Sequence, residues 1–90
     1  MITSFQMRAA RALLAIDQKT LAELAGVSLP TIQRMEASTG NVRGVVETLR
    51  RVVDAFERAG VELIGEQARS EGGGRGVRLK EPGPPRRVGA

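Results

Sequence analysis

Ninety residues with 14 Lys and Arg against 10 Asp and Glu give a formal charge of +4 and an isoelectric point near 11.0. A chain this short allows one small core; without Cys or His it has no disulfide, no thiolate or imidazole metal site, and no thiol or histidine catalysis. A basic protein that is not an enzyme is expected, with no metal and no cofactor; twelve of its 14 basic residues are Arg, which suits bidentate contacts with phosphate and guanine.

Thr3 and Gln6 have the spacing of a capping box, which predicts a first helix beginning near Ser4. Phe5, Ala9, Ala12, Leu13 and Ile16 recur at helical spacing and are expected to form its apolar face. Asp17 is the predicted N-cap of a second helix from Gln18 to about Ala25, ended by Gly26, which tolerates positive φ. Ser28 then caps a third helix, from Leu29 to about Glu36 or Ala37. Pro30 fits there, because a first-turn proline loses no intrahelical bond.

Ser38-Thr39-Gly40-Asn41 reads as a loop by its turn chemistry. Val42, Val45, Val46, Leu49, Val52, Val53 and Phe56 then describe a long amphipathic helix, roughly 43–59, stopped by Gly60. Val61–Ile64 and Val77–Lys80 read as short strands around a polar, Gly-rich loop, so a hairpin is the natural pairing. The glycines at 72–74 and 76 lack the Lys-Ser/Thr ending and the following helix of a phosphate-binding loop, which excludes that reading.

Residues 72–90 carry a net +4, whereas 61–71 sum to −2. The last ten residues, with Pro82, Pro84, Pro85 and Arg86-Arg87, are too polar and Pro-rich to pack and are expected to be disordered. The expected units are a helical domain over 1–60, a strand–loop–strand over 61–80 and a basic tail over 81–90. No apolar run approaches the ~20 residues that span a bilayer, and Met1–Ser4 lacks the charged and apolar regions of a secretion signal. A cytoplasmic protein with no membrane partner is expected.

The informative stretch runs from Gln18 to Glu36. Two short helices joined by a tight turn need a small residue where their backbones approach, here Ala22. They also need a residue free of Cβ strain where the first helix ends, here Gly26. Leu21, Ala25, Val27, Ile32 and Met35 fall where a shared core requires apolar side chains. Gln18, Leu21-Ala22, Ala25-Gly26-Val27-Ser28, Thr31-Ile32 and Arg34-Met35-Glu36 together resemble the Cro/C1-type helix-turn-helix family, also called the Xre family, of bacterial and phage repressors.

The resemblance covers about residues 5–59. It implies a mainly α fold, a four-helix Cro/C1-type domain, followed here by a short C-terminal β-hairpin and the disordered basic tail. By the same resemblance the second helix would brace the unit on the DNA backbone, and the third would be the recognition helix in the major groove. One uninterrupted run over 45–59 departs from the two shorter helices common in the family.

In that docking mode, side chains near the start of the recognition helix reach base edges. Leu29, Pro30, Thr31, Gln33 and Arg34 are those the core does not require. Gln33 suits adenine N6/N7, Arg34 suits guanine O6/N7, and Thr31 suits a thymine methyl or a phosphate. The competing readings are an ion pair of Arg34 with Glu23 or near Glu36, and a merely solvated Gln33. Gln18, Ser28, Arg43 and Arg11 are candidates for phosphate. Gln18 opens a helix, where N–H groups favour an anion; Arg43 follows the recognition helix; Arg11, with Arg8, lies on the polar face of the first helix. Ser28 has a second role as N-cap.

Val61, Leu63, Ile64, Val77 and Leu79 are candidates for dimerisation, because a lone hairpin is marginal and a four-stranded sheet between subunits is not. Packing of the hairpin on the fourth helix within one chain is the alternative. The expected function is a sequence-specific, double-stranded DNA-binding transcriptional regulator, a repressor, acting as a homodimer on an inverted repeat with half-sites about 34 Å apart. Two alternatives keep the same core. One is an antitoxin whose 61–90 segment grips a toxin; the other is an activator whose Glu62, Glu66 and Glu71 contact RNA polymerase.

Overall fold

The computed structural model describes residues 2–42, 44–66, 69 and 72–80. Four helices come first: α1 (Ser4–Leu14), α2 (Gln18–Ala25), α3 (Leu29–Glu36) and α4 (Val46–Arg58). Strands β1 (Val61–Ile64) and β2 (Gly76–Leu79) follow as an antiparallel pair, with Val61 opposite Leu79 and Leu63 opposite Val77. The arrangement is mainly α with a C-terminal strand pair. No helix among the described residues is long and apolar enough to cross a membrane.

Side-chain caps start three of the helices. Thr3 and Gln6 form the capping box their spacing predicts: the Gln6 N–H donates to Thr3 Oγ1 at 3.1 Å and the Thr3 N–H donates to Gln6 Oε1 at 3.0 Å. Asp17 accepts from the Thr20 N–H at 2.8 Å, and Ser28 from the Thr31 N–H at 3.2 Å. The fourth helix differs from expectation. It begins at Val46 rather than near residue 43, and its N-cap, Val45, makes no side-chain bond. The reason lies upstream, where the Val42 N–H donates to the Ile2 carbonyl at 2.9 Å and Asn41 bridges Thr3. This short pairing holds 41–42 extended and buries Val42, while Val45 and Val46 are left exposed.

The buried face of α1 is also a correction. It consists of Met7, Ala10 and Leu14 together with Gln6, not of the Phe5–Ala9–Ala12 stripe. Phe5 is 69% exposed. Both stripes have helical period, so periodicity alone leaves the rotation of the helix open. Gln6 settles it: beyond its capping bond, its Nε2 donates to the carbonyls of Ile64 and Gly76, each at 3.0 Å. A polar side chain thus ties α1 to both strands and turns Met7 inward.

The core gathers Met7, Leu21, Ile32, Val52, Phe56 and Val61, all essentially without exposure. Val61 therefore belongs to the chain's own interior, and Leu63, Val77 and Leu79 pack against the same cluster. The apolar strand side chains expected to await a partner instead cover α1 and α4, because a two-stranded hairpin needs a packing surface to persist. Ile64 is half-buried at the loop end of the same ladder.

Candidate nucleic-acid interface

Helices α2 and α3 are joined by Gly26, Val27 and Ser28 alone. Gly26 adopts φ 69° and ψ 34°, the left-handed conformation that closes α2. The Val27 N–H reaches back to the Ala22 carbonyl at 3.0 Å and the Gly26 N–H to the Glu23 carbonyl at 3.3 Å. That pair of bonds satisfies the last carbonyls of α2 and reverses the chain within three residues. Ala22 is buried beside the crossing, as its small side chain requires.

The two sides of α3 are chemically opposite. Ile32, Met35 and Glu36 are buried, whereas Pro30, Gln33, Arg34 and Ala37 are exposed. The spacing of that exposed set, three, one and three residues, places it along one stripe of the helix. Of the predicted base-readers, Pro30, Gln33 and Arg34 are brought together there. Leu29 and Thr31 are half-buried at its margin: Leu29 leans on the core, and Thr31 Oγ1 lies 2.8 Å from Ser28 Oγ. Gln33 and Arg34 make no side-chain hydrogen bond or ion pair among the described residues. The alternative pairing of Arg34 with Glu23 or Glu36 is not formed.

Glu36 is spoken for by another residue. Its carboxylate, 4% exposed, receives Arg11 through Nε at 2.6 Å and Nη2 at 2.8 Å, and Gln18 Nε2 at 3.1 Å. Arg11 also donates to the Ile16 carbonyl at 3.3 Å. The hydrogen bond to Glu36 raises the Arg11 pKa further above its ordinary value, against the opposing effect of burial. This bidentate pair fastens the ends of α1 and α2 to the end of α3.

Two residues assigned to phosphate, Arg11 and Gln18, are thereby engaged inside the protein. Asp17 also stands at the start of α2, where its carboxylate already meets the Thr20 N–H that an incoming anion would seek. Sequence reasoning placed Glu36 in the motif but missed its burial and its partners, Arg11 and Gln18, although a signal existed. Glu36 falls four residues after the core residue Ile32 and so on the same helix face, where a carboxylate must find a cation.

Other arginines are structural too. Arg51 Nη1 donates to the Gly26 carbonyl at 3.3 Å and Arg58 Nη2 to the Leu24 carbonyl at 3.4 Å, so α4 neutralises the carboxyl end of α2. Arg75 pairs with Asn41 and Glu66, Arg78 pairs with Glu62, and Arg8 lies over the Phe5 ring at 5.0 Å. Among the described residues, Arg34, Arg50 and Arg69 have no such partner, and of these Arg34 alone belongs to α3. Arg43 and the tail over 81–90 lie outside the described residues.

No family model matches the chain, and no curated protein matches it either.

Proposed function

We propose that α2, its three-residue turn and α3 form a helix-turn-helix of the Cro/C1 type that reads double-stranded DNA, with α3 in the major groove. The observation that carries this reading is the exposed stripe of α3, where Gln33 and Arg34 have no side-chain partner among the described residues, on a helix whose other side is locked by Glu36. With its side chains an α-helix is about 10–12 Å across, which matches the roughly 12 Å width of the major groove. In this reading Arg34 takes a guanine edge and Gln33 an adenine edge. Pro30 approaches a thymine methyl, and Leu29 and Thr31 bound the contact.

The chain then acts as a transcriptional regulator, a repressor binding an inverted repeat as a homodimer in a bacterial cytoplasm. Contacts to phosphate pass to Arg43, the tail arginines and backbone N–H groups near Ser28. Of the acidic residues behind the polymerase-contacting alternative, Glu62 and Glu66 pair with Arg78 and Arg75, and Glu71 lies outside the described residues.

The test is a selection of binding sites from randomised duplexes at two salt concentrations, run on the parent and on Arg34→Ala. A good bidentate contact supplies about 1–3 kcal/mol of discrimination, so affinity should fall roughly 5- to 150-fold and preference should relax at one position of each half-site. An unchanged preference would remove Arg34 as the reader. Failure of the parent to select any sequence would remove the function.

A further inference from the structure

We propose that the groove between α1 and β2 is a binding site for a small aromatic monocarboxylate. This goes beyond the DNA reading and stands without it.

The groove holds about 440 Å³, within the range of roughly 300–1,000 Å³ that small-molecule sites occupy. Its two ends differ in chemistry. Thr3, the N-cap of α1, marks a polar end that Arg75 and Glu66 also line. Arg75 is held at that end because its Nη1 donates to Asn41 Oδ1 at 2.7 Å, and Asn41 bridges Thr3. Phe5, Ala9 and Val77 line the apolar remainder. Thr3 and Ala9 stand about 9 Å apart along the helix axis, a length that suits one or two fused rings bearing an acid group.

The wall across from α1 is largely backbone. Gly74 and Gly76 present no side chain there, and a Cβ at Gly74 would meet nothing within 4 Å. A flat wall beside the Phe5 ring, which is 69% exposed, favours a planar ring over a branched chain. The strand adds polar groups. The Lys80 N–H donates to the Gly60 carbonyl at 2.8 Å, so alternation along the ladder puts Val77 and Leu63 in a pair without hydrogen bonds between them. Val77 therefore aims its N–H and C=O away from β1, and among the described residues none of β1 lines the groove.

Charge selects an acid. A guanidinium has five N–H donors; Asn41 and Glu66 take two of those on Arg75 and leave three. Asn41 is neutral, and Glu66 is a weak counter-ion, 3.4 Å away on a side chain that is 70% exposed. Arg8 lies over the Phe5 ring at 5.0 Å and has no carboxylate partner among the described residues. Two guanidinium groups against one carboxylate thus leave a single net positive charge around the groove, which a monocarboxylate neutralises. The acid group sits on the free donors of Arg75, and its ring lies against Phe5 and Val77.

Fluorescence anisotropy of 2-naphthoate titrated with the full chain tests this, since the chain has no Trp or Tyr to emit. The probe should bind one to one with a dissociation constant of about 1 mM or tighter. Its uncharged counterpart, 2-naphthamide, should bind at least tenfold more weakly, a comparison that needs no variant. Phe5→Ala and Arg75→Gln should each weaken 2-naphthoate at least tenfold. Both should keep the parent's melting temperature, because Phe5 is outside the core and Gln retains a donor for Asn41. A probe that does not bind, an amide that binds as tightly, or a variant that binds like the parent would each overturn the proposal. Anisotropy that rises and then falls as the protein is concentrated would give the groove to a second copy and overturn it too. None of these outcomes bears on the selection of duplexes, so this site and the DNA reading fail separately.

Discussion

The two sides of α3 use similar chemistry to different ends. Inward, the Glu36 carboxylate is held by Arg11 and Gln18 and welded among Ile32 and Met35. Outward, Gln33 and Arg34 carry equal hydrogen-bonding capacity and have no side-chain partner for it among the described residues. The lesson is that charge on a small basic protein has to be sorted by partner before it is assigned to a ligand. Arg11 and Arg34 look alike in the sequence, yet only one of them is available to solvent partners.

The sharpest way to break this contrast is to remove each arginine in turn. Arg11→Met would leave Glu36 buried without its cation, at a cost of about 3 kcal/mol in urea unfolding, the low end for a buried pair because Arg11 is partly exposed. Arg11→Met combined with Glu36→Leu should recover most of that loss, since an apolar pair of similar volume replaces a satisfied ionic one. Arg34→Ala should change stability by less than about 0.5 kcal/mol, although it disables the reading of sequence. Equal destabilisation by both single changes would mean that the two sides are not distinct.

The same sorting explains what the sequence disclosed. Capping residues announce themselves by local spacing, so the starts of α1, α2 and α3 and the turn at Gly26 were legible from Thr3, Asp17, Ser28 and Gly26. The exposed stripe of α3 was also within reach, because the buried residues Ile32 and Met35 fix the remaining face. What could not be read were outcomes of long-range contact. Gln6 turns α1 by bonding to carbonyls in strands 58 and 70 residues away in the chain, a choice that local periodicity leaves open between the Phe5 and Met7 stripes. Val42 leaves the α4 pattern because it pairs with Ile2. Arg11 and Gln18 read as phosphate ligands because the sequence offers Glu36 only as a motif residue and a neighbour of Arg34, not as their own partner.

A finer comparison lies in the two helix ends that close in the left-handed conformation. At Gly26 the residue is suited to it. At Ala15, φ 55° and ψ 41°, the same reversal is made by a residue with a Cβ, and the Ile16 N–H reaches the Arg11 carbonyl at 3.1 Å. The left-handed conformation costs an alanine about 1–2 kcal/mol, offset by about 0.4–1 kcal/mol from its stiffer unfolded chain. Gly26→Ala should therefore lose about 0.5–1 kcal/mol. A Cβ there would meet Arg51 Nη1 at an ordinary 3.8 Å, so the backbone alone sets the cost. Ala15→Gly should gain a similar amount, and chemical unfolding of the two variants should show shifts of opposite sign.

The smallest effect is confined to acid. The Thr20 backbone N–H, and then its hydroxyl, hold the Asp17 carboxyl below its ordinary pKa. A depressed carboxyl contributes stability that is complete above the unfolded value, about 3.9, and is lost as pH falls through the folded value. Asp17→Asn keeps an oxygen that accepts the same N–H and caps comparably, but it does not titrate there. Melting temperatures of parent and variant should nearly coincide at neutral pH, with the parent falling more steeply below about pH 4. Parallel acid limbs would show that protonation of Asp17 leaves the start of α2 unchanged, and that the order of this helix end comes from packing of Leu21 and Ala22 rather than from its cap.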